Sequence, residues 1–139
     1  MRASCRATMA PGKGRLISVL LVTSRINAKW MLPKGWPMPA KDDAQSALKE
    51  AREEAGIDGI IANAPVGSYR YIKLFDDGST KPAQTLIYSM RVTSQYSKWD
   101  EKGQRKRKWF RPDKAAKAVT EPDLARFLLN VASGRVVLT

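Results

Sequence analysis

The sequence predicts an α/β fold, a mixed β-sheet flanked by helices, and three observations lead there. A run of branched aliphatics at 16–23 is strand-like. The stretch 42–55 repeats its apolar residues at helical spacing. Strand-like and helix-like segments then alternate irregularly, which suits a mixed sheet flanked by helices. The chain has 139 residues, enough for one domain spanning 1–139 with a core that needs no disulfide or structural metal.

Residues 1–13 read as an edge strand or a flexible lead-in, and Pro11-Gly12-Lys13-Gly14 as a turn. Leu16 to Thr23 reads as a buried strand, and Trp30-Met31-Leu32 as a short one ended by Pro33. Lys34 to Ala40 is dense in glycine and proline around Trp36 and reads as an ordered loop. The helix follows from about Asp42 to Ala55, with Asp42 or Asp43 to cap its N-terminus and Gly56 to stop it. Strands are expected at Ala64–Leu74 and Gln84–Val92 around an Asp76-Asp77-Gly78 turn, then a loop at Ser94–Gly103 and a basic strand at Arg105–Phe110. Helices are expected at Pro112–Val119 and Glu121–Ala132, the second capped by Thr120 with Pro122 in its first turn. Trp30 and Trp109 read as core residues, and Trp36 as a loop residue packing under the motif that runs from Gly35 to Ile57.

Composition narrows the chemistry. Histidine is absent, which excludes Ser-His and Cys-His catalysis and any zinc site that needs an imidazole. Cys5 stands alone, so no internal disulfide forms, and no charged-then-apolar leader opens the chain. The longest apolar run, Leu16 to Val22, is too short to span a bilayer. A cytoplasmic protein without membrane attachment, monomer or homodimer, is expected. Lys and Arg number 25 against 13 Asp and Glu, a net charge of +12. Such a chain attracts polyanions, whether nucleic acid or a phosphorylated small molecule.

The helix carries the candidate chemistry. An α-helix turns about 100° per residue, so Glu50, Glu53 and Glu54 share one face, while Ala44, Leu48, Ala51 and Ala55 share the face that would pack on the sheet. Three carboxylates at this spacing repel one another unless a divalent cation bridges them. The same pattern also describes a solvated acidic helix face.

The surrounding residues resemble a known motif. Gly35-Trp36-Pro37-Met38-Pro39-Ala40-Lys41 followed by Lys49-Glu50-Ala51-Arg52-Glu53-Glu54-Ala55-Gly56-Ile57 is similar to the Nudix box, with Gly35, Glu50, Ala51, Glu53, Glu54, Gly56 and Ile57 in register. Lys41 stands where the motif has glutamate, and Lys49 where it has arginine. The segments Val19–Arg25, Trp30–Gly35 and Arg105–Phe110 resemble the branch that hydrolyses diphosphoinositol polyphosphates and diadenosine polyphosphates. The resemblance implies the Nudix α/β/α sandwich. It further implies a phosphoanhydride hydrolase that uses Mg2+ (Mn2+ as an alternative) held by Glu50, Glu53 and Glu54. Glu53 is the chosen general base, Glu50 assists, and Lys49 keeps the charge of the arginine that orients a catalytic glutamate, without its planar fork.

Five cations fall within seven residues at Lys102, Arg105, Lys106, Arg107 and Lys108. In a strand, Arg105 and Arg107 share one face, which reads either as a phosphate clamp or as a charged edge that resists aggregation. The resemblance places Arg25 and Lys34 at substrate phosphates; Gly35, and Arg105 and Arg107 as the clamp, are expected at the substrate with them. Two rivals stand beside this reading: a hydrolase acting on nucleoside diphosphate sugars or RNA 5′ ends, and a Nudix-fold module that binds RNA or a polyphosphate without efficient hydrolysis.

Overall fold

A computed structural model of the protein describes residues 2–5, 8–9, 17–35 and 42–138. In chain order the elements are strands β1 (Arg2–Cys5), β2 (Thr8–Met9), β3 (Val19–Thr23), β4 (Trp30–Met31) and β5 (Lys34–Gly35). Helix α1 (Asp43–Glu50) follows and runs directly into a π-helical turn at Ala51–Ala55. Strands β6 (Ile57–Ile61), β7 (Gly67–Leu74), β8 (Thr80–Ile87), β9 (Met90–Gln95) and β10 (Arg107–Phe110) precede helices α2 (Pro112–Ala118) and α3 (Pro122–Ala132).

Strand β3 lies at the centre of the layering. All five of its residues are buried, because both of its faces are covered. Val19 and Leu21 pack with Ala115, Leu124 and Leu128 on the α2–α3 side. Leu20 and Val22 pack with Leu48, Ala51 and Ala55 on the α1 side. Alternate side chains of one strand thus anchor helices in front and behind, which is the α/β/α sandwich. Each fully buried leucine contributes about 1.5–3 kcal/mol relative to exposure.

The strands pair in the orders β5-β1-β8-β7, β10-β3-β4 and β2-β9-β6. β1 runs parallel to β8 and β2 parallel to β9, while the other paired strands run antiparallel, so the pairing is mixed as expected. Among the described residues no helix is long and apolar enough to cross a membrane.

The structure departs from expectation at several elements. β6 was not anticipated, because Asp58 and Gly59 are poor strand formers and break the alternation; pairing with β9 across a register shift at Asp58/Gly59 supplies what local propensity lacks. The strand expected at Gln84–Val92 is two strands, since the chain leaves β8 for another sheet at the buried pair Tyr88-Ser89. β8 also includes Pro82, which has no N–H; β1 pairs with Gln84 to Ile87, so among the described residues no strand on that side asks Pro82 for one. Lys34-Gly35 forms a short strand rather than loop. Thr120 does not cap α3: the cap position is Glu121, without a side-chain cap bond, although Pro122 does open the helix. The remaining expectations at Pro11–Gly14, Trp36 and Lys41 lie outside the described residues.

Candidate active site

Asp42 begins the site. Its carboxylate accepts from the Gln45 N–H at 2.7 Å and starts α1. At the other end Gly56 adopts φ +64°, a left-handed cap in which its N–H reaches both the Ala51 and Arg52 carbonyls. The π-helical turn between them advances fewer degrees per residue than an α-helix. Glu54 is thereby brought nearly in line with Glu50, and Glu53 swings off that line. Glu50 and Glu54 line one cleft, and Glu53 does not. Glu53 forms an ion pair with Lys49, and among the described residues no group of three acidic or cysteine side chains converges closely enough to hold a metal.

Glu50 and Glu54 lie in a cleft of about 900 Å³, with Arg25, Lys34, Gly35 and Arg105 also in its wall. Gly35 is required by proximity: a Cβ there would fall on the Cδ and Oε1 of Glu50. Glu54 is 3% exposed, and its Oε1 accepts from the Lys34 backbone N–H at 3.3 Å. Burial first, and then a hydrogen bond with Glu50, hold its carboxyl well above the usual carboxylate range against the pull of Arg105. Arg105 donates to Glu101 Oε1 at 2.7 Å and to the Thr23 carbonyl at 3.0 Å, with Nη2 3.9 Å from Glu54. Lys34 places its ammonium over the Tyr71 ring, 3.3 Å from the centroid. Arg25, exposed on the turn after β3, donates to the Gln104 side chain at 3.2 Å.

Lys49, Glu53 and Arg107 are not in the cleft wall. Arg107 serves the helix end instead of a phosphate. Its Nη1 donates to the carbonyls of Ala55 (2.8 Å) and Gly56 (3.3 Å), and its Nη2 to that of Tyr96 (2.6 Å). The guanidinium lies 3.9 Å from the centre of the Trp99 ring, and burial lowers its pKa. Trp99 donates its indole N–H to the Glu54 carbonyl at 3.1 Å, and the Glu101 N–H donates to the Glu53 carbonyl at 3.1 Å. The loop after β9 therefore clamps the π-helical turn from behind. Sequence reasoning missed Glu101, Lys29 and Lys73 in the cleft wall. Glu101 had one available signal, as an acid at the head of a basic run.

The glutamate-bearing helix thus lies beneath a cleft inside an α/β/α sandwich. Residues 2–131 match the NUDIX domain, and the chain belongs to that family. It is similar to human diphosphoinositol polyphosphate phosphohydrolase 3-beta, 26% identical over 120 residues that make up 85% of this chain and 68% of that one. A C. elegans Ap4A hydrolase in a binary complex has the same fold at 20% identity, with a TM-score of 0.69 and 96% of each chain covered. So does the NUDIX domain of Shewanella oneidensis NrtR complexed with ADP ribose, at 14% identity and a TM-score of 0.68 over 98% of this chain and 88% of that one.

Proposed function

We propose that the protein is a metal-dependent hydrolase of phosphoanhydride bonds, acting on a diadenosine polyphosphate or a diphosphoinositol polyphosphate. The observation that carries this reading is the Glu50–Glu54 pair in the cleft, with Arg105 and Lys34 beside it. The donor set fits a hard divalent cation: magnesium binds through one or two carboxylates and keeps several waters, and a buried carboxyl whose charge is disfavoured gains from a cation more than a solvated one does. Bound there, Mg2+ or Mn2+ supplies neutralisation of phosphate oxygens and a water of lowered pKa.

The chain's own groups do the rest. Lys34 and Arg25 meet phosphate oxygens at the cleft wall. Arg105, already bonded to Glu101 and Thr23, fixes Glu54 more than it binds substrate. Glu50, which lines the cleft, accepts the proton of the attacking water in this reading. Glu53, paired with Lys49, takes that role only if its carboxylate turns inward.

The test is hydrolysis of both substrates with magnesium, with EDTA, and with Glu50→Gln and Glu53→Gln separately. Turnover that needs metal and falls about 10²-fold or more in Glu50→Gln is the expected result; a larger loss in Glu53→Gln assigns the base to Glu53. The feature that favours the rival module that binds RNA or polyphosphate is the replacement of the motif's arginine by Lys49, which pairs with Glu53 without a planar fork. Binding without turnover, indifferent to chelator, would establish it.

A further inference from the structure

One wall of the cleft is formed by consecutive residues of β7 and the turn after it, Tyr71 to Asp76. An unbroken run of strand residues lines a cavity when the strand turns its edge to it, and β7 is the terminal strand of its sheet, paired only with β8 among the described residues.

Three observations fix which residues that edge offers. Successive residues of an antiparallel strand point their N–H and C=O alternately toward and away from the partner. The Arg70 N–H points away, to Asp123 Oδ2 at 2.7 Å beside α3. The Phe75 N–H points inward, to the Ser79 carbonyl at 2.9 Å. Pro82, opposite Ile72, has no N–H to give, as suits a pair that exchanges no hydrogen bonds. Ile72 and Leu74 therefore turn their main-chain groups away from β8 and toward the cleft.

The Ile72 C=O and the Leu74 N–H flank Lys73 and point to the same side, an acceptor and a donor that an antiparallel neighbour would meet. A nucleobase edge that carries a ring nitrogen beside an exocyclic amine offers the matching donor and acceptor. An inositol polyphosphate would bring anionic acceptors against carbonyl oxygens. The cleft wall is also formally neutral, with five basic residues (Arg25, Lys29, Lys34, Lys73, Arg105) against five acidic ones (Glu50, Glu54, Asp76, Glu101, Glu121) among those described. That balance suits a ligand with few phosphates and an uncharged part. Ile26, 57% exposed and in the same wall, provides an apolar side chain for a flat ring.

We infer that the edge of β7 left unpaired among the described residues, through the main chain of Ile72 and Leu74, reads the base of a nucleotide substrate, an inference that rests on the hydrolase reading of this cleft.

The test uses the 15N-labelled full chain with magnesium, titrated with AMP, ribose 5-phosphate, N6,N6-dimethyl-AMP and inositol hexakisphosphate. Hydrolysis of diadenosine tetraphosphate and of a diphosphoinositol polyphosphate is measured alongside. AMP is expected to shift the Leu74 amide downfield and slow its hydrogen exchange, while ribose 5-phosphate leaves it in place. Loss of the amine hydrogens in N6,N6-dimethyl-AMP is expected to weaken binding about tenfold. Equal binding of AMP and its dimethyl analogue, or a Leu74 amide that saturating AMP leaves unmoved, overturns the inference. Hydrolysis of the diphosphoinositol substrate with the Leu74 amide unmoved by AMP overturns it while leaving the hydrolase intact. The AMP shift without turnover of either substrate keeps the base site and overturns the hydrolase.

Discussion

At Gly35 and Glu54 single side chains decide whether the site exists. Gly35→Ala places a methyl where the Glu50 carboxyl now lies. The glutamate must leave that rotamer, and because it is only half-buried the displacement costs little stability. Turnover is expected to fall about 10²-fold, the cost of an ångström-scale misplacement of a catalytic group, with a melting temperature close to that of the parent. Glu54→Gln should show the opposite pairing of effects. Burial makes the Glu54 charge unfavourable, and Arg105 keeps Glu101 as a partner after the change. The metal-free protein is expected to gain on the order of 1 kcal/mol while metal-dependent hydrolysis is lost. Thermal melts without metal, run beside activity assays, separate the two; a melting temperature that falls would show that the Glu54 charge is stabilised where it lies.

The glutamate-bearing helix depends on a partner element far along the chain. Arg107 bonds three carbonyls at and around the end of the π-helical turn, and its stacking on Trp99 ties the loop after β9 to the same turn. Arg107→Ala is expected to cost about 2 kcal/mol and to speed amide hydrogen exchange at Ala51–Gly56. It should lower kcat about tenfold with KM nearly unchanged, because the residue touches the helix end and not the cleft. Arg107→Lys should recover little, since an ammonium cannot span the three acceptors. The same residues mark where the sequence was legible. The packing face Ala44, Leu48, Ala51, Ala55 follows from spacing, and so does the Gly56 stop. The π turn does not follow from spacing, because it coincides with bonds from Trp99, Glu101 and Arg107, residues remote in sequence. Alternation put Arg105 and Arg107 on one face of a strand, but not the fact that a helix end's free carbonyls stand opposite the second of them. β6 was hidden because its two weak formers, Asp58 and Gly59, lie in the middle of the strand.

Over the whole molecule, the positive charge is not where a count of residues suggests. The chain carries +12, yet the described wall of the cleft balances five cations with five anions. Much of the excess is on the surface in and around β10 and α2, where Lys106, Lys108, Arg111, Lys114 and Lys117 are exposed. Net charge therefore argues for attraction of polyanions to the outside of the protein, and says little about how many phosphates the cleft holds. Salt separates the two. Exposed charges are screened within about 8–10 Å at physiological ionic strength, and displacement of counterions makes nucleic-acid binding fall steeply with salt. Between 50 and 200 mM salt, kcat/KM for diadenosine tetraphosphate is expected to change less than about threefold, while any association with RNA falls by orders of magnitude. Replacing Lys106, Lys108, Lys114 and Lys117 by glutamine should flatten the RNA dependence and leave the small-substrate kinetics alone. A hydrolysis rate as salt-sensitive as RNA binding, and reduced by the same four substitutions, would mean that the outer basic face draws the small substrate into the cleft.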